Sequence, residues 1–340
     1  MLNSEINIMQ KNLKIAVFGS GSWGTAIVKI LLNNTTPVNW WIRENEIIDN
    51  IRNFRHNNLY LSSVEFNPES LVLSSDIKEI VSSSDILIFV VPSAFLNASL
   101  SGLNPDDFRN KFVVSAIKGI VPEYNVIIAD YFMSRFNVPY SNFAVVSGPS
   151  HAEEIALEKL TYLTVASQNH ELGEKLSQLF KCRYVMTSVS DDIFGTEYSN
   201  VIKNIIAIAN GICIGLGYGD NFQAVLISNA IQEIKRFVDA VHPIDRDIKS
   251  SVYLGDLMVT AYSQFSRNRT FGNMIGKGYS IKFAMLEMKM VAEGYYAAKC
   301  IWEINNKYNV DMPITEAVYN ILYLGHSPAK EIHILTQKLS

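Results

Sequence analysis

Lys203 is the only charged residue in the run "YSNVIKNIIAIANGICI", from Tyr198 to Ile214. Helical spacing over this run puts Val201, Ile202, Ile205, Ile206, Ile208, Ala209 and Ile212 on a broad apolar surface. It leaves a stripe of Ser199/Asn200, Lys203/Asn204, Ala207 and Asn210/Gly211, one turn apart each time. A solvated helix face ordinarily carries Glu, Gln, Arg and several Lys, whereas Asn and Gly each cost roughly 0.5–1 kcal/mol of helix propensity against Ala. Small polar residues around one cation read as a cavity wall, with a solvated face as the plainer alternative. An enclosed lysine has its pKa lowered by desolvation or held up by a carboxylate, and either way it can exchange a proton with a carbonyl oxygen.

Two further charged elements belong to the same chemistry. Asp256 stands alone in the apolar run "LGDLMV", and Ser266-Arg267-Asn268-Arg269 precedes another helical segment. Paired guanidinium groups offer planar, forked donors suited to phosphate or carboxylate. In isolation "SRNR" also reads as a surface turn.

These residues need a scaffold, and the N-terminal part of the chain supplies its signature. "LKIAVFGSGSWGTAIVKILLNN" is an apolar β-branched run, a Gly-rich turn and an amphipathic helix broken at Asn33-Asn34. Gly19 allows the tight turn, Gly21 leaves the backbone bare for a pyrophosphate, and Gly24 lets helix and strand pack closely. The helix N-terminus offers free N–H groups and the positive end of its dipole. A second apolar run, "PVNWWI", ends at Arg43, about 20 residues past the glycines, where such folds meet the adenosine ribose. An Arg there accommodates a 2′-phosphate, so Arg43 favours NADP(H), with NAD(H) open through the adjacent Glu44 and a solvent-exposed Arg43 as the plainer alternative.

Three more buried strands follow. "SSSDILIFVVPS" ends at Pro92-Ser93, "NKFVVSAIKGI" at Lys118-Gly119, and "NFAVVSGPSHAEEIA" at Gly148-Pro149-Ser150. Continuous Val/Ile runs between helices predict a parallel sheet covered on both faces, with ligands beyond its carboxyl edge. Lys118 and Gly148 fall on that edge. Ser150 and Glu153 also have capping-box spacing, so Ser150 reads equally as a cap or a ligand contact. After about residue 190 the pattern turns almost entirely helical. The expected fold class is α/β: a Rossmann-like doubly wound parallel sheet followed by an all-α domain. The expected organisation is an N-terminal extension over 1–13, a dinucleotide-binding domain over 14–190 and a helical substrate domain over 191–340.

Composition narrows the partners. The 340 residues are 48% hydrophobic with a net charge of −4, so a large core is available and a polycationic nucleic-acid surface is not. Cys182, Cys213 and Cys300 fall in no ligand spacing, which predicts no metal site and suits a reducing cytoplasm. No signal peptide or transmembrane run is legible, and a soluble cytoplasmic protein with no membrane insertion is expected.

Read together and in order, "GSGSWGTA", "VVPS", "SAIKGI", "SGPSHAEEIA", "VIKNIIAIANGICIGLGYGDN", "LGDLMVT", "SRNRTFG", "VAEGYYAAKCIWE" and "DMPITEAVYNILY" resemble the NAD(P)-dependent glycerol-3-phosphate dehydrogenases from about Lys14 to Leu339. The resemblance implies a homodimer that reduces dihydroxyacetone phosphate to sn-glycerol 3-phosphate, the phospholipid backbone, with a small phosphorylated substrate and NAD or NADP as cofactor. It implies that Lys203 is the proton donor and acceptor, with Asn204 beside it, Lys118 between nicotinamide and substrate, and Asp256 near the catalytic lysine. It places Ser266, Arg267 and Asn268 at the substrate phosphate, with Arg267 also approaching the cofactor. Gly148 and Ser150 match substrate contacts, and Ser22, Trp23, Arg43, Ala152, Val291 and Glu293 match cofactor contacts. Two departures bear on the substrate: Tyr198-Ser199-Asn200 replaces Leu-Gly-Gly before the catalytic lysine, and Tyr253 replaces a small residue before "LGDL". Two other readings stay open: a related two-domain reductase of another phosphorylated ketone or of a 2-oxo acid, and a non-catalytic dinucleotide sensor.

Overall fold

The computed structural model describes residues 13–288 and 292–340. Its strands are β1 (Ile15–Phe18), β2 (Val38–Trp41), β3 (Leu71–Ser74), β4 (Ile86–Phe89), β5 (Phe112–Ser115), β6 (Phe143–Ser147), β7 (Thr161–Ala166) and β8 (Val185–Ser190). Interleaved with them are α1 (Ser22–Leu31), α2 (Asn45–Phe54), α3 (Ile77–Ser82), α4 (Ser93–Ser99), α5 (Ile128–Phe136), α6 (Ala152–Ala156) and α7 (His170–Phe180). There follow α8 (Ile193–Gly215), α9 (Asp220–Val241), α10 (Asp256–Tyr262), α11 (Arg267–Gly276), α12 (Ile281–Glu287), α13 (Glu293–Tyr308), α14 (Pro313–Tyr323) and α15 (Pro328–Thr336).

The chain forms two compact units. The first runs to Val91 and adds Phe95–Ile117 and Ala129–Ile193, while the second combines Pro92–Ala94, Lys118–Ile128 and Phe194–Ser340. Two short segments after β4 and β5 therefore belong with the helical unit, and one of them carries Lys118.

Among the described residues the first unit holds one eight-stranded sheet in the order β3-β2-β1-β4-β5-β6-β7-β8. β1 lies between β2 and β4, parallel to both, so the direction of strand progression reverses there. That reversal opens a crevice at the carboxyl ends, where the glycine turn lies. The strands are four to six residues long and nearly all apolar because both faces are covered; β1, β2 and β4 are buried at every position. The sheet is not wholly parallel: β7 runs antiparallel to β6, with β8 parallel to β7. β7 and β8 mix apolar with polar positions, a weaker signal than the Val/Ile runs before them.

In the second unit α8 is buried at almost every turn, from Val201 to Cys213. Its partner α11 packs against it backbone to backbone. A Cβ at Gly211 would stand 2.1 Å from the Arg269 carbonyl oxygen, one at Gly272 2.1 Å from that of Ile208, and one at Gly276 2.3 Å from that of Ile212. Glycine at these positions allows a helix approach that any side chain would block. Elsewhere in this unit the buried Glu233 carboxylate accepts the Ile314 and Thr315 N–H groups at 2.8 and 2.9 Å, satisfying the start of α14.

Candidate active site

In the first unit the glycine turn is built for an anion. Gly19 has φ +122°, and its carbonyl accepts the indole N–H of the buried Trp40 at 2.9 Å. The Asn57 amide donates to the Ser20 carbonyl at 2.8 Å and to Thr25 Oγ1 at 2.9 Å, fixing the turn from beneath. A Cβ at Gly24 would lie 2.3 Å from the Gly19 carbonyl oxygen, whereas one at Gly21 meets nothing within 4 Å. Gly21 is also the N-cap of α1 and supplies no side-chain cap to the first-turn N–H groups. This cradle, open only where a Cβ would intrude, fits a dinucleotide pyrophosphate. Ser22 and Trp23 open α1, and Trp23 is anchored by its Nε1 donating to the Ala116 carbonyl at 3.1 Å.

Arg43 and Glu44 follow β2, with Glu44 as the N-cap of α2. The Arg43 side chain is 71% exposed and pairs with Glu44 at 2.5 Å, and the other Glu44 oxygen accepts Ser20 Oγ at 3.3 Å. Gly148 follows β6 with φ +136°, and a Cβ there would strike the Tyr162 carbonyl oxygen at 2.5 Å. The capping box expected at Ser150 and Glu153 is absent. α6 starts at Ala152 with His151 as N-cap, which leaves Ser150 one residue too early, its Oγ donating to the Gly148 carbonyl at 2.9 Å.

The second unit contains the charged cluster. Lys203 is 2% exposed and Asp256 1%. Lys203 Nζ donates to Asp256 Oδ2 in a direct ion pair, and Lys118 Nζ lies 3.8 Å from Oδ1. One carboxylate thus serves two ammonium groups. Thr260 Oγ1, one turn further along α10, lies 3.5 Å from Oδ1. Desolvation lowers the Lys203 pKa to about 7, against the upward pull of Asp256 and with the Lys118 charge pushing the same way as burial. Lys203 therefore sits where a proton can be given or taken near neutral pH.

A chain of amides frames the pair. The Gly294 N–H donates to Asn268 Oδ1 at 2.9 Å, Asn268 Nδ2 to Asn204 Oδ1 at 2.9 Å, and Asn204 Nδ2 to the Lys118 carbonyl at 2.7 Å. The chain ties α13, α11 and α8 to the segment that carries Lys118. Ser266 N-caps α11 by accepting the Arg269 N–H at 3.3 Å, so Arg267 opens that helix as an exposed guanidinium. Glu293, first residue of α13, accepts Ser93 N–H and Oγ–H at 3.1 and 2.5 Å. Burial pushes the Glu293 pKa up, while the Ser93 hydrogen bonds and the charge of Arg267 pull it down.

The structure thus gathers Lys118, Lys203, Asn204, Asp256 and Asn268 into one constellation. The glycines, Ser22, Trp23, Arg43, Gly148, Ser150 and Ala152 lie in the sheet-bearing unit, and Val291 lies outside the described residues. The polar stripe on α8 divides in two: Lys203 and Asn204 face the charged cluster, whereas Gly211 is a helix contact rather than a cavity wall. Sequence reasoning missed Asn57, Thr260, Ser93 and Gly119. A Cβ at Gly119 would lie 2.5 Å from both Ser93 Oγ and Glu293 Oε2. Thr260 carried a signal, one helical turn after the lone Asp256, and Ser93 and Gly119 stood at strand ends on the ligand-facing edge.

A doubly wound sheet with an uncapped glycine turn, in one chain with a helical unit holding a buried lysine–aspartate pair, defines a two-unit dinucleotide-dependent dehydrogenase. The NAD-dependent glycerol-3-phosphate dehydrogenase N-terminus family matches residues 14–173 and the C-terminus family residues 192–333. The chain belongs to this glycerol-3-phosphate dehydrogenase family of NAD(P)-dependent oxidoreductases. It is 34% identical to the Bacillus velezensis glycerol-3-phosphate dehydrogenase (NAD(P)+), over 96% of this chain and 94% of that one. The Coxiella burnetii glycerol-3-phosphate dehydrogenase structure superposes with a TM-score of 0.88 at 29% identity, covering 95% of this chain and 98% of that one. A ketopantoate reductase from Ralstonia eutropha, at TM-score 0.61 and 17% identity over 94% of this chain and 100% of that one, shares the fold alone.

Proposed function

We propose that this enzyme reversibly reduces dihydroxyacetone phosphate to sn-glycerol 3-phosphate with NAD(P)H. The observation that carries the reading is the buried Lys203–Asp256 pair with Lys118 on the other carboxylate oxygen. Lys203 Nζ protonates the ketone oxygen in reduction and takes the proton back in oxidation, help worth roughly 10²–10⁴-fold. Asp256 keeps the ammonium in place and holds its pKa up. Lys118, oriented through its carbonyl by Asn204, adds positive charge to polarise the same oxygen. Arg267 grips the substrate phosphate, and Ser266 and Asn268 set its direction by capping and tethering α11. The dinucleotide supplies the hydride when bound; Gly19, Gly21, Ser22, Trp23 and Gly24 hold its pyrophosphate, with Ala152, Val291 and Glu293 as further contacts.

We assign the 2′-phosphate to Arg43, which makes NADPH the preferred reductant, with Glu44 accepting the ribose of NADH. The two family departures lie close in the chain to Lys203 and Asp256. The Tyr198 ring packs edge-on against Phe237 at 5.4 Å and Ser199 Oγ donates to the Thr196 carbonyl, so these side chains are engaged inside the helical unit. Tyr253 sits in the π-helical turn Ser251–Gly255 just before Asp256. The proposal includes a domain division near residue 190, a homodimer and a cytoplasmic location; among the described residues no helix is long and apolar enough to cross a membrane. The test is a substrate panel: cofactor oxidation with dihydroxyacetone phosphate, and little with unphosphorylated dihydroxyacetone or 2-oxo acids. Equal rates across the panel would remove Arg267 as the phosphate anchor.

A further inference from the structure

The helical unit carries a concavity apart from the catalytic cluster. It is a pocket of about 410 Å³ between one flank of α11 and the segment through α12, a volume suited to a small metabolite. Arg269, Asn273 and Lys277 line it from α11 and its C-cap, Tyr279, Phe283 and Glu287 from the following segment. No member of the Lys118–Lys203–Asp256 cluster lines it.

Two of its polar atoms are buried and unsatisfied. Among the described residues, Arg269 Nε and Asn273 Oδ1 have no hydrogen-bond partner. A buried guanidinium nitrogen without an acceptor is costly, and native structures rarely leave one so. Among the described residues, Glu287 is the only carboxylate in the lining, and no ion pair joins it to Arg269 or Lys277. Tyr279 and Phe283 stack at 5.3 Å with 14° between their planes and stay 49% and 47% exposed, a half-wet aromatic surface at the same site. A planar fork and an ammonium match a phosphate dianion, the rings an apolar or aromatic body, and Asn273 Oδ1 and Glu287 a hydroxyl donor.

We propose that the Arg269–Asn273–Lys277 pocket binds a small phosphomonoester with an aromatic or apolar body, at a site separate from the catalytic cluster. Arg267, two residues before Arg269, is the anchor proposed for the substrate phosphate, so the test must silence it. Phenyl phosphate is titrated calorimetrically into the full-length enzyme carrying Arg267→Gln, alone and combined with Lys277→Gln or Arg269→Gln. The expected result is one remaining site per chain, about threefold weaker with Lys277→Gln and about tenfold or more weaker with Arg269→Gln. Inorganic phosphate and benzoate should each bind more weakly than phenyl phosphate, because the first lacks the ring and the second the second charge. Lys277 is an exposed C-cap residue, so its variant keeps the test available if Arg269→Gln does not fold. The proposal is overturned if Arg267→Gln abolishes all binding, or if neither pocket substitution changes affinity. A substrate panel that fails for dihydroxyacetone phosphate would revise the catalytic reading and leave this result standing.

Discussion

Replacing Asp256 with Asn keeps the shape of the side chain and removes a charge that pairs with two ammonium groups. For Lys118, 3.8 Å from the carboxylate, an effective dielectric near 20 gives an attraction of about 4 kcal/mol, less what solvent screens at a side chain 24% exposed. Lys203 is closer and almost wholly buried, so it loses at least as much support. With a net loss of about 3 kcal/mol, its pKa falls by about 2 units, from about 7 to about 5. At pH 7 the ammonium form then drops from about half of the enzyme to about one in a hundred, so reduction slows about 50-fold from this cause alone.

The sign of the pH dependence follows. Reduction needs the ammonium, so in the wild type kcat/KM for the ketone falls as pH rises through about 7; oxidation needs the neutral amine and rises through the same range. In Asp256→Asn both limbs move about 2 units toward acid. The assay is the pH profile of kcat/KM in each direction, followed by cofactor absorbance, with circular dichroism to show that the variant is folded. A variant whose limbs stay near 7 while its rate drops would refute the electrostatic account, leaving Asp256 as a geometric support only.

The remaining expectations concern cofactor and packing. Gly21→Ala adds a Cβ into open space at φ −63°, so thermal stability should change by less than about 0.5 kcal/mol while KM for the cofactor rises about tenfold or more. Gly24→Ala drives a Cβ onto the Gly19 carbonyl and should cost about 1–3 kcal/mol by chemical denaturation. Arg43→Ala should lower the NADPH-to-NADH ratio of kcat/KM about tenfold, and an unchanged ratio would remove Arg43 from the site. Gly272→Ala, with backbone 2.1 Å away, should destabilise the enzyme by at least about 2 kcal/mol and lower kcat, since α8 and α11 carry Lys203 and Asn268.

How much of this was legible in the chain depends on whether a residue's role is local. The glycine turn and the strands after it were readable because a strand, a tight turn and a helix leave their signatures within about 20 residues. Lys203 was readable because its helix is so apolar that a lone cation among small polar residues stands out as an enclosed charge. Ser150 went the other way: its spacing to Glu153 is right for a cap, but α6 begins one residue too late for it. The same limit applied to Gly211, where small size reads alike for a cavity wall and for a helix contact. Only the opposite helix, arriving 2.1 Å from the missing Cβ, decides between them.

The roles that the sequence withheld are those fixed by residues far apart in the chain. Asn268 reads locally as part of a basic turn, yet both ends of its amide are engaged, one by Gly294 and the other by Asn204. Ser93 and Glu293 are 200 positions apart and meet through two hydrogen bonds. Such pairs set a side chain's direction without altering the periodicity around it, so they leave no local trace. The amide chain gives the reason that Lys118 belongs to the helical unit although it follows a strand of the sheet. Its carbonyl is held by Asn204, one residue from Lys203, so the two ammonium groups are registered by adjacent positions of a single rigid helix. A change that loosens this register without touching a charge, such as Asn204→Leu, should lower kcat while leaving the pH at which Lys203 titrates nearly in place, the reverse of the Asp256→Asn pattern. Matching pH shifts in the two variants would show that the amides act on the charge of Lys203 rather than on the placement of Lys118.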